Sequence, residues 1–205
     1  MPYERELVQH QAYYRKLLMR RRLLRWALDG PVYLPFCGDG DIAVDLYSDR
    51  TCYGADIDSN RVDTARLRIP NSDLRVADCD DWPLPDISVP FTLADFDAYA
   101  YPYAAFRAFW GEATKASRLV MFFTDGEGQA MMRRGEWITP DGDHVGQYGN
   151  VKINQKTYYQ YFSTVVMPWF EDYVSPWRLL DRFRYTVRNL LYWGAVIEDG
   201  KQGKA

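Results

Sequence analysis

Apolar positions recur at roughly helical spacing near the start of the chain. Leu7, Tyr14, Leu17, Leu18, Leu24 and then Ala27 or Leu28 fit one helix over residues 3–28, with no Gly or Pro to interrupt it. Gly30-Pro31 stops it. After that the pattern changes to short apolar runs separated by polar, helix-compatible stretches. Val32–Phe36, Thr51–Ala55, Leu74–Ala77, Pro90–Ala94 and Arg118–Thr124 read as strands. Asp41–Tyr47, with Asp39 or Asp41 as cap, and Asn60–Leu67, with Asp58 or Ser59 as cap, read as helices. Tyr103–Ala116 is amphipathic and helical. Such alternation predicts an α/β fold, a parallel sheet with helices on both faces.

The tail has a different pattern. Residues 135–150 (GEWITPDGDHVGQYGN) are rich in Gly, Asp and Pro and read as a loop or lid. Residues 155–171 look helical. WRLLDRFRYT (177–186) and NLLYWGAVIE (189–198) are strand-like, with Val187-Arg188 between them, which suits an antiparallel hairpin at the sheet edge. The 205 residues suffice for one sizeable domain, read as a helical extension over 1–30 and a single compact domain over 31–205.

Composition narrows the possible functions. The net charge of −3 argues against a molecule that binds nucleic acid by overall charge. Charge is nevertheless uneven: RKLLMRRRLLRW (15–26) is basic and ADCDDWPLPD (77–86) acidic. Arg20, Arg21 and Arg22 are therefore either a solvated helix face or a phosphate-binding patch for RNA or DNA. Aromatic residues make up 16%, fitting either a ring-rich core or a platform for planar ligands. Cys37, Cys52 and Cys79 form no metal-binding spacing and suggest reduced thiols in a cytoplasmic setting. His10 and His144 are far apart in sequence and read as surface residues; no metal site is expected. No stretch resembles a signal peptide or a membrane span.

The candidate chemistry lies at the ends of the strands. In an open α/β sheet, ligands bind outside the carboxyl ends of the strands, where the strand order reverses. The first strand runs into PFCGDG (35–40), where Gly38 and Gly40 permit a sharp turn and a close approach of backbone to ligand. The next helix N-terminus adds partial positive charge. Asp56 ends the second strand, placed to accept from a ribose diol; Asp78 ends the third, where it could accept from an exocyclic amine; Asp95 and Asp97 end the fourth. Each acid alone has helix capping as an alternative role.

In the order PFCGDG, YGADID, RVADCDDW and ADFDAYAYPY, the chain resembles the class I S-adenosylmethionine-dependent methyltransferases. Within them it is most similar to the nucleic-acid amino-methyltransferases, with their Asp-Pro-Pro-Tyr-like motif, and it shares features of the tRNA guanine N2-dimethyltransferases. The resemblance covers roughly residues 30–125. It implies a Rossmann-like, seven-stranded, mostly parallel sheet ending in the antiparallel hairpin, and S-adenosylmethionine as cofactor. Phe36, Cys37, Gly38 and Gly40 would cradle the methionine part, Asp56 would hold the ribose and Ile57 would pack on the adenine. Asp78 and the Cys79 backbone would flank the adenine amine, and Asp95 would border the cofactor. Asp97 and Tyr99 would be catalytic, and Pro102 would match a second proline of the motif.

The chain departs from the family at Leu34, where an acid often stands, and at Ala98 and Ala100 within the catalytic motif. Three readings follow: N-methylation of a base in RNA or DNA, methylation of a small molecule, or a non-catalytic binding protein that keeps the fold. A nicotinamide dehydrogenase is a weaker fourth, because PFCGDG lacks the third glycine of the dinucleotide fingerprint.

Overall fold

The structure, a computed structural model, describes residues 2–98, 101–128, 137–145, 155–187 and 190–200. Helix α1 (Pro2–Leu24) precedes β1 (Val32–Pro35), α2 (Asp41–Leu46), β2 (Cys52–Asp56), α3 (Ser59–Arg68), β3 (Ser72–Val76) and β4 (Phe91–Phe96). Then come α4 (Tyr103–Glu112), β5 (Lys115–Asp125) and a small hairpin of β6 (Trp137–Ile138) and β7 (His144–Val145). Helix α5 (Gln155–Tyr161) runs through a π-helical turn (Phe162–Val166) into α6 (Met167–Tyr173), before β8 (Arg178–Val187) and β9 (Leu190–Glu198).

Seven strands form one sheet in the order β3-β2-β1-β4-β5-β9-β8. The first five are mutually parallel, and β9 runs antiparallel to both β5 and β8. The expected α/β architecture with a terminal antiparallel pair is thus present. The order reverses between β1 and β4, so the crevice for a ligand opens at their carboxyl ends. Every residue of β4 is buried, as a strand covered on both faces requires.

Two cores sandwich the sheet. On one face Tyr33, Phe96, Phe123 and Trp193 pack beneath α4, α5 and α6, with Phe123 and Trp193 stacked at 4.0 Å. Much of the aromatic share is therefore spent on the core. On the other face Met19 and Leu23 of α1, Ala43 of α2 and Val62 of α3 close over Val32, Leu93 and Val196. The N-terminal helix belongs to that same core.

Several boundaries differ from the sequence pattern, each for a local reason. Helix α1 stops at Leu24, and tighter turns follow: Trp26 N–H donates to Leu23 O and Ala27 N–H to Leu24 O. Strand β4 continues to Phe96, so Asp95 lies inside it. Helix α4 stops at Glu112 because the Lys115 ammonium takes the carbonyls of Trp110 and Ala113 at 2.7 and 2.6 Å, and the chain leaves as β5. Helix α2 has Gly40 at its N-cap with no side-chain bond; Asp41 instead pairs with Arg68 at 2.6 Å. Asp58 caps α3 as expected, accepting from Asn60 and Arg61 N–H.

Of the expected 135–150 loop, residues 137–145 form the β6–β7 hairpin, and the rest lies outside the described residues. The hairpin is fastened to the helical layer. Tyr101 and Tyr161 hydroxyls donate to its carbonyls, Arg107 donates to Pro140 O, and Trp169 Nε1 donates to Asp141 at 2.7 Å. No helix among the described residues is long and apolar enough to cross a membrane.

Gly54 of β2 sits against β1 so closely that a Cβ there would overlap the Leu34 carbonyl. Gly54→Ala is expected to destabilise the protein by about 1–3 kcal/mol through overpacking. Gly111→Ala in α4 meets nothing within 4 Å and should be neutral or stabilising by up to about 1 kcal/mol. Urea-unfolding midpoints of the two variants give the comparison.

Candidate functional site

A cavity of about 530 Å³ opens at the carboxyl ends of β1, β2 and β4, within the size range of small-molecule sites. Its floor is the turn after β1. Phe36 has φ +62°, uncommon for a bulky residue and a mark of a turn held by its surroundings. Gly38 has φ +52° with open space where a Cβ would stand, so its backbone is bare toward the cavity. Gly40 has φ +81° and a different role: a Cβ there would crowd Ile69 Cδ1 at 3.0 Å, so this glycine lets α2 and α3 pack together.

Asp56, at the end of β2, ties the turn together. It accepts from Gly38 N–H and Asp58 N–H, each at 3.0 Å, through different oxygens. A carboxylate has about four acceptor positions, which leaves capacity on both oxygens. Ile57 beside it is 75% exposed, a large apolar side chain presented at the cavity edge. Cys37, also lining the cavity, has its thiol pushed up to about 12, first by burial and then by the Asp56 charge.

The far wall is built by charges from α1 and β4. The Arg20 guanidinium grips Asp95 with two bonds of 2.6 Å, and the Tyr47 hydroxyl adds a third at 2.7 Å. This pair is sealed, with side chains 0% and 2% exposed. Burial disfavours the charge on Arg20, but Asp95 and then Asp97 outweigh it and keep the guanidinium charged. Asp97, two residues on, faces the cavity. Lys16 Nζ donates to its two oxygens at 2.7 and 3.0 Å, and the Thr124 hydroxyl donates to it as well. Burial pushes the Asp97 carboxyl up, yet Lys16 and Arg20 more than compensate and hold it below the usual carboxylate range.

No family model matches this sequence, and no curated protein matches it. Solved structures do match in shape. The N-methyltransferase NodS from Bradyrhizobium japonicum WM9 superposes with a TM-score of 0.56 at 12% identity, covering 96% of each chain. NodS in complex with S-adenosylhomocysteine gives 0.58 at 13% identity, over 92% of this chain and 87% of that one. A DhpI–SAH complex gives 0.56 at 18% identity, over 95% and 89%. The chain has the class I methyltransferase fold.

Within that methyltransferase fold, the structure gathers Phe36, Cys37, Gly38, Gly40, Asp56 and Ile57 around the cavity, together with Asp95, Asp97, Ala98 and Leu34. Asp78 and Cys79 do not line it, although the Phe36 backbone of the turn bonds the Cys79 thiol. Asp78 is exposed and accepts from Asp80 N–H in a local turn, and the Cys79 side chain is buried in the aromatic core. Asp95 borders the cavity, but its carboxylate is committed to Arg20 and Tyr47. Tyr99 lies outside the described residues. Pro102 begins α4 as its N-cap residue.

Of the basic run on α1, one residue needs correction. Arg20 is fully buried and unavailable to phosphate. Arg22 lies over the Phe183 ring at 4.9 Å, Arg15 over Tyr185 at 5.0 Å, and Arg25 reaches Asp181 at 3.4 Å, so three of its arginines dock the helix on β8. Arg15, Arg21, Arg22 and Arg25 all remain exposed to solvent. Residues the pattern missed are Tyr13, Lys16 and Thr124, all lining the cavity. A usable signal existed: 16, 20 and 23 fall on one helix face, and a cation in a stripe that also buries Leu23 needs an acid. Among the described residues, no group of His, Cys, Asp and Glu is arranged to hold a metal ion.

Asp95→Ala should destabilise the protein by about 3–5 kcal/mol, because it strands a buried guanidinium; chemical denaturation at neutral pH measures it. Asp97 gives a pH-dependent counterpart. Its folded value lies below that of the unfolded chain, about 3.9. Its contribution is therefore present above that pH and lost as pH falls through the folded value. The stability gap between wild type and Asp97→Asn should be widest near neutrality and shrink below about pH 4 in denaturation curves collected across pH.

Proposed function

We propose that this chain is an S-adenosylmethionine-dependent methyltransferase whose acceptor is a small molecule. The observation that carries the cofactor reading is the meeting of a bare glycine turn and a ribose-competent carboxylate at the switch point of this fold. The open backbone at Gly38 gives a ligand room to approach, Asp56 retains acceptor capacity, and Ile57 offers an apolar surface for a purine ring. Those features fit the cofactor. When bound, it supplies a methyl group made electrophilic by a sulfonium.

The residues present suit a reaction governed by alignment rather than by acid–base work. Methyl transfer to nitrogen is an in-line displacement in which positioning supplies much of the rate. Asp97 stands at the end of β4, where the resemblance puts the first residue of the catalytic motif. With its carboxyl held ionised by Lys16 and Arg20 it is a poor proton acceptor. Its role in this reading is to orient bound groups by hydrogen bonding. The sealed Arg20–Asp95 pair below it keeps that carboxylate from moving.

The choice of a small acceptor over a base in RNA or DNA rests on the arginines of α1. Arg20 is sealed, and Arg15, Arg22 and Arg25, though solvent-exposed, lie against β8, so part of the run that suggested a phosphate track also serves the fold. The net charge of −3 points the same way.

Calorimetric titration with S-adenosylhomocysteine is expected to give micromolar binding, about −8 kcal/mol. Asp56→Ala is expected to weaken it at least about tenfold without loss of fold. Absence of binding by folded wild-type protein would overturn the cofactor reading. Short RNA and DNA oligonucleotides should show no tight, salt-dependent binding. If they do, the acceptor is a nucleic acid.

A further inference from the structure

A second cavity, of about 350 Å³, lies on the face of the sheet covered by α5 and α6. It sits between the edge strand β8 and the π-helical turn, where Met167 N–H donates to the carbonyl of Phe162, five residues back. Turns of this kind are rare and frequently stand at functional sites. Phe162, Ser163 and Met167 line the cavity on the helical side, and Arg182, Arg184 and Trp193 line it on the sheet side. None of them lines the first cavity.

The two cavities differ in charge. Five aspartates line the first; among the described residues no acidic side chain lines the second. Its two arginines share one face of β8, being two residues apart, but they are not equivalent. Arg182 meets Glu171 at 3.3 Å, which offsets its charge. Arg184 has no carboxylate partner among the described residues. Its guanidinium lies over the rings of Tyr159 and Phe162, with Cζ 5.1 and 5.7 Å from their centroids, and it donates to the Ser163 hydroxyl at 2.7 Å. Rings against its faces steady a guanidinium without neutralising it and leave N–H groups on its edge for a ligand. Ser163 accepts that bond, so its own O–H is still available to donate. The indole N–H of Trp193 is also buried with no partner among the described residues. Side-chain donors therefore exceed acceptors, and the surface between them is apolar.

We propose that this cavity is a binding site for a small amphipathic carboxylate. The ligand's carboxylate takes Arg184 and Ser163, in the planar geometry that suits a guanidinium. Its apolar body packs against Phe162, Met167 and Trp193. The site is separate from the methyl-donor cavity and stands whether or not the cofactor reading holds.

The test is calorimetric titration of the full chain with 2-naphthoate, 2-naphthamide and inorganic phosphate. The naphthoate should bind with a dissociation constant below about 1 mM and at least about tenfold more tightly than either of the others, the scale of one charge-assisted contact. Arg184→Met should lose about that factor for naphthoate and change naphthamide less than about twofold. Arg184→Gln repeats the test should the Met variant fail to fold; melting curves accompany both. Naphthoate and naphthamide binding equally would overturn the proposal, since the cavity would then be merely apolar. Phosphate binding as tightly as naphthoate would overturn the amphipathic assignment. Wild-type protein that leaves naphthoate unbound at about 1 mM, or an Arg184 variant that binds it as wild type does, would also overturn the proposal.

Discussion

The arrangement of this molecule depends on a buried guanidinium meeting a buried carboxylate. Asp95 lies in a strand covered on both faces, where an uncompensated charge is untenable. Arg20 lies on the inner face of α1 under the same prohibition. Each satisfies the other, and neither site is tolerable alone. The pair fixes the rotation of α1 about its axis. That rotation places Lys16, one turn earlier, against Asp97, two residues later in the strand. A stability requirement and the placement of two cavity-lining side chains are thus set by the same contact. Replacing the pair with apolar side chains of similar volume could leave the fold no less stable, but the register of helix against strand would lose its anchor.

The opposite face of the sheet gives a different kind of rigidity. Phe96, Phe123 and Trp193 stack in sequence across β4, β5 and β9, with centroid spacings of 4.9 and 4.0 Å. Flat rings in register resist sliding of one strand past the next. The carboxyl ends of β4 and β5 are thereby held level, and Asp97 and Thr124 meet there.

How far the sequence disclosed this can be seen residue by residue. The strand–helix alternation was legible because each strand is short, apolar and followed by an acid or a glycine. That the turn Phe36–Gly40 and Asp56 would lie together was legible because their spacing is local to one β-α-β unit. Lys16 and Thr124 were not, since they reach the cavity from 81 and 27 positions away from Asp97, and nothing local marks them. Asp95 was misplaced for a related reason. An acid at the end of an apolar run reads as the end of the strand, and only the distant Arg20 lets the strand continue through it. Asp78 closes a local turn by accepting from Asp80 N–H, just as Asp56 accepts from Asp58 N–H, but only Asp56 lines the cavity. The β6–β7 hairpin was hidden by composition, because Gly, Asp and Pro dominate a segment whose strands have two residues each.

The thiol of Cys37 bears on chemical self-protection. It lines the cavity, and burial and the Asp56 charge push it up to about 12, so it stays protonated at neutral pH. A thiolate is among the strongest nucleophiles a protein can offer. Were the cavity to hold the methyl donor proposed above, such a group would be consumed by its own ligand. Burial and the Asp56 charge, which brace the glycine turn, also keep that sulfur inert. The cysteine can therefore stay in the turn as a small side chain that fits, without becoming an unintended acceptor.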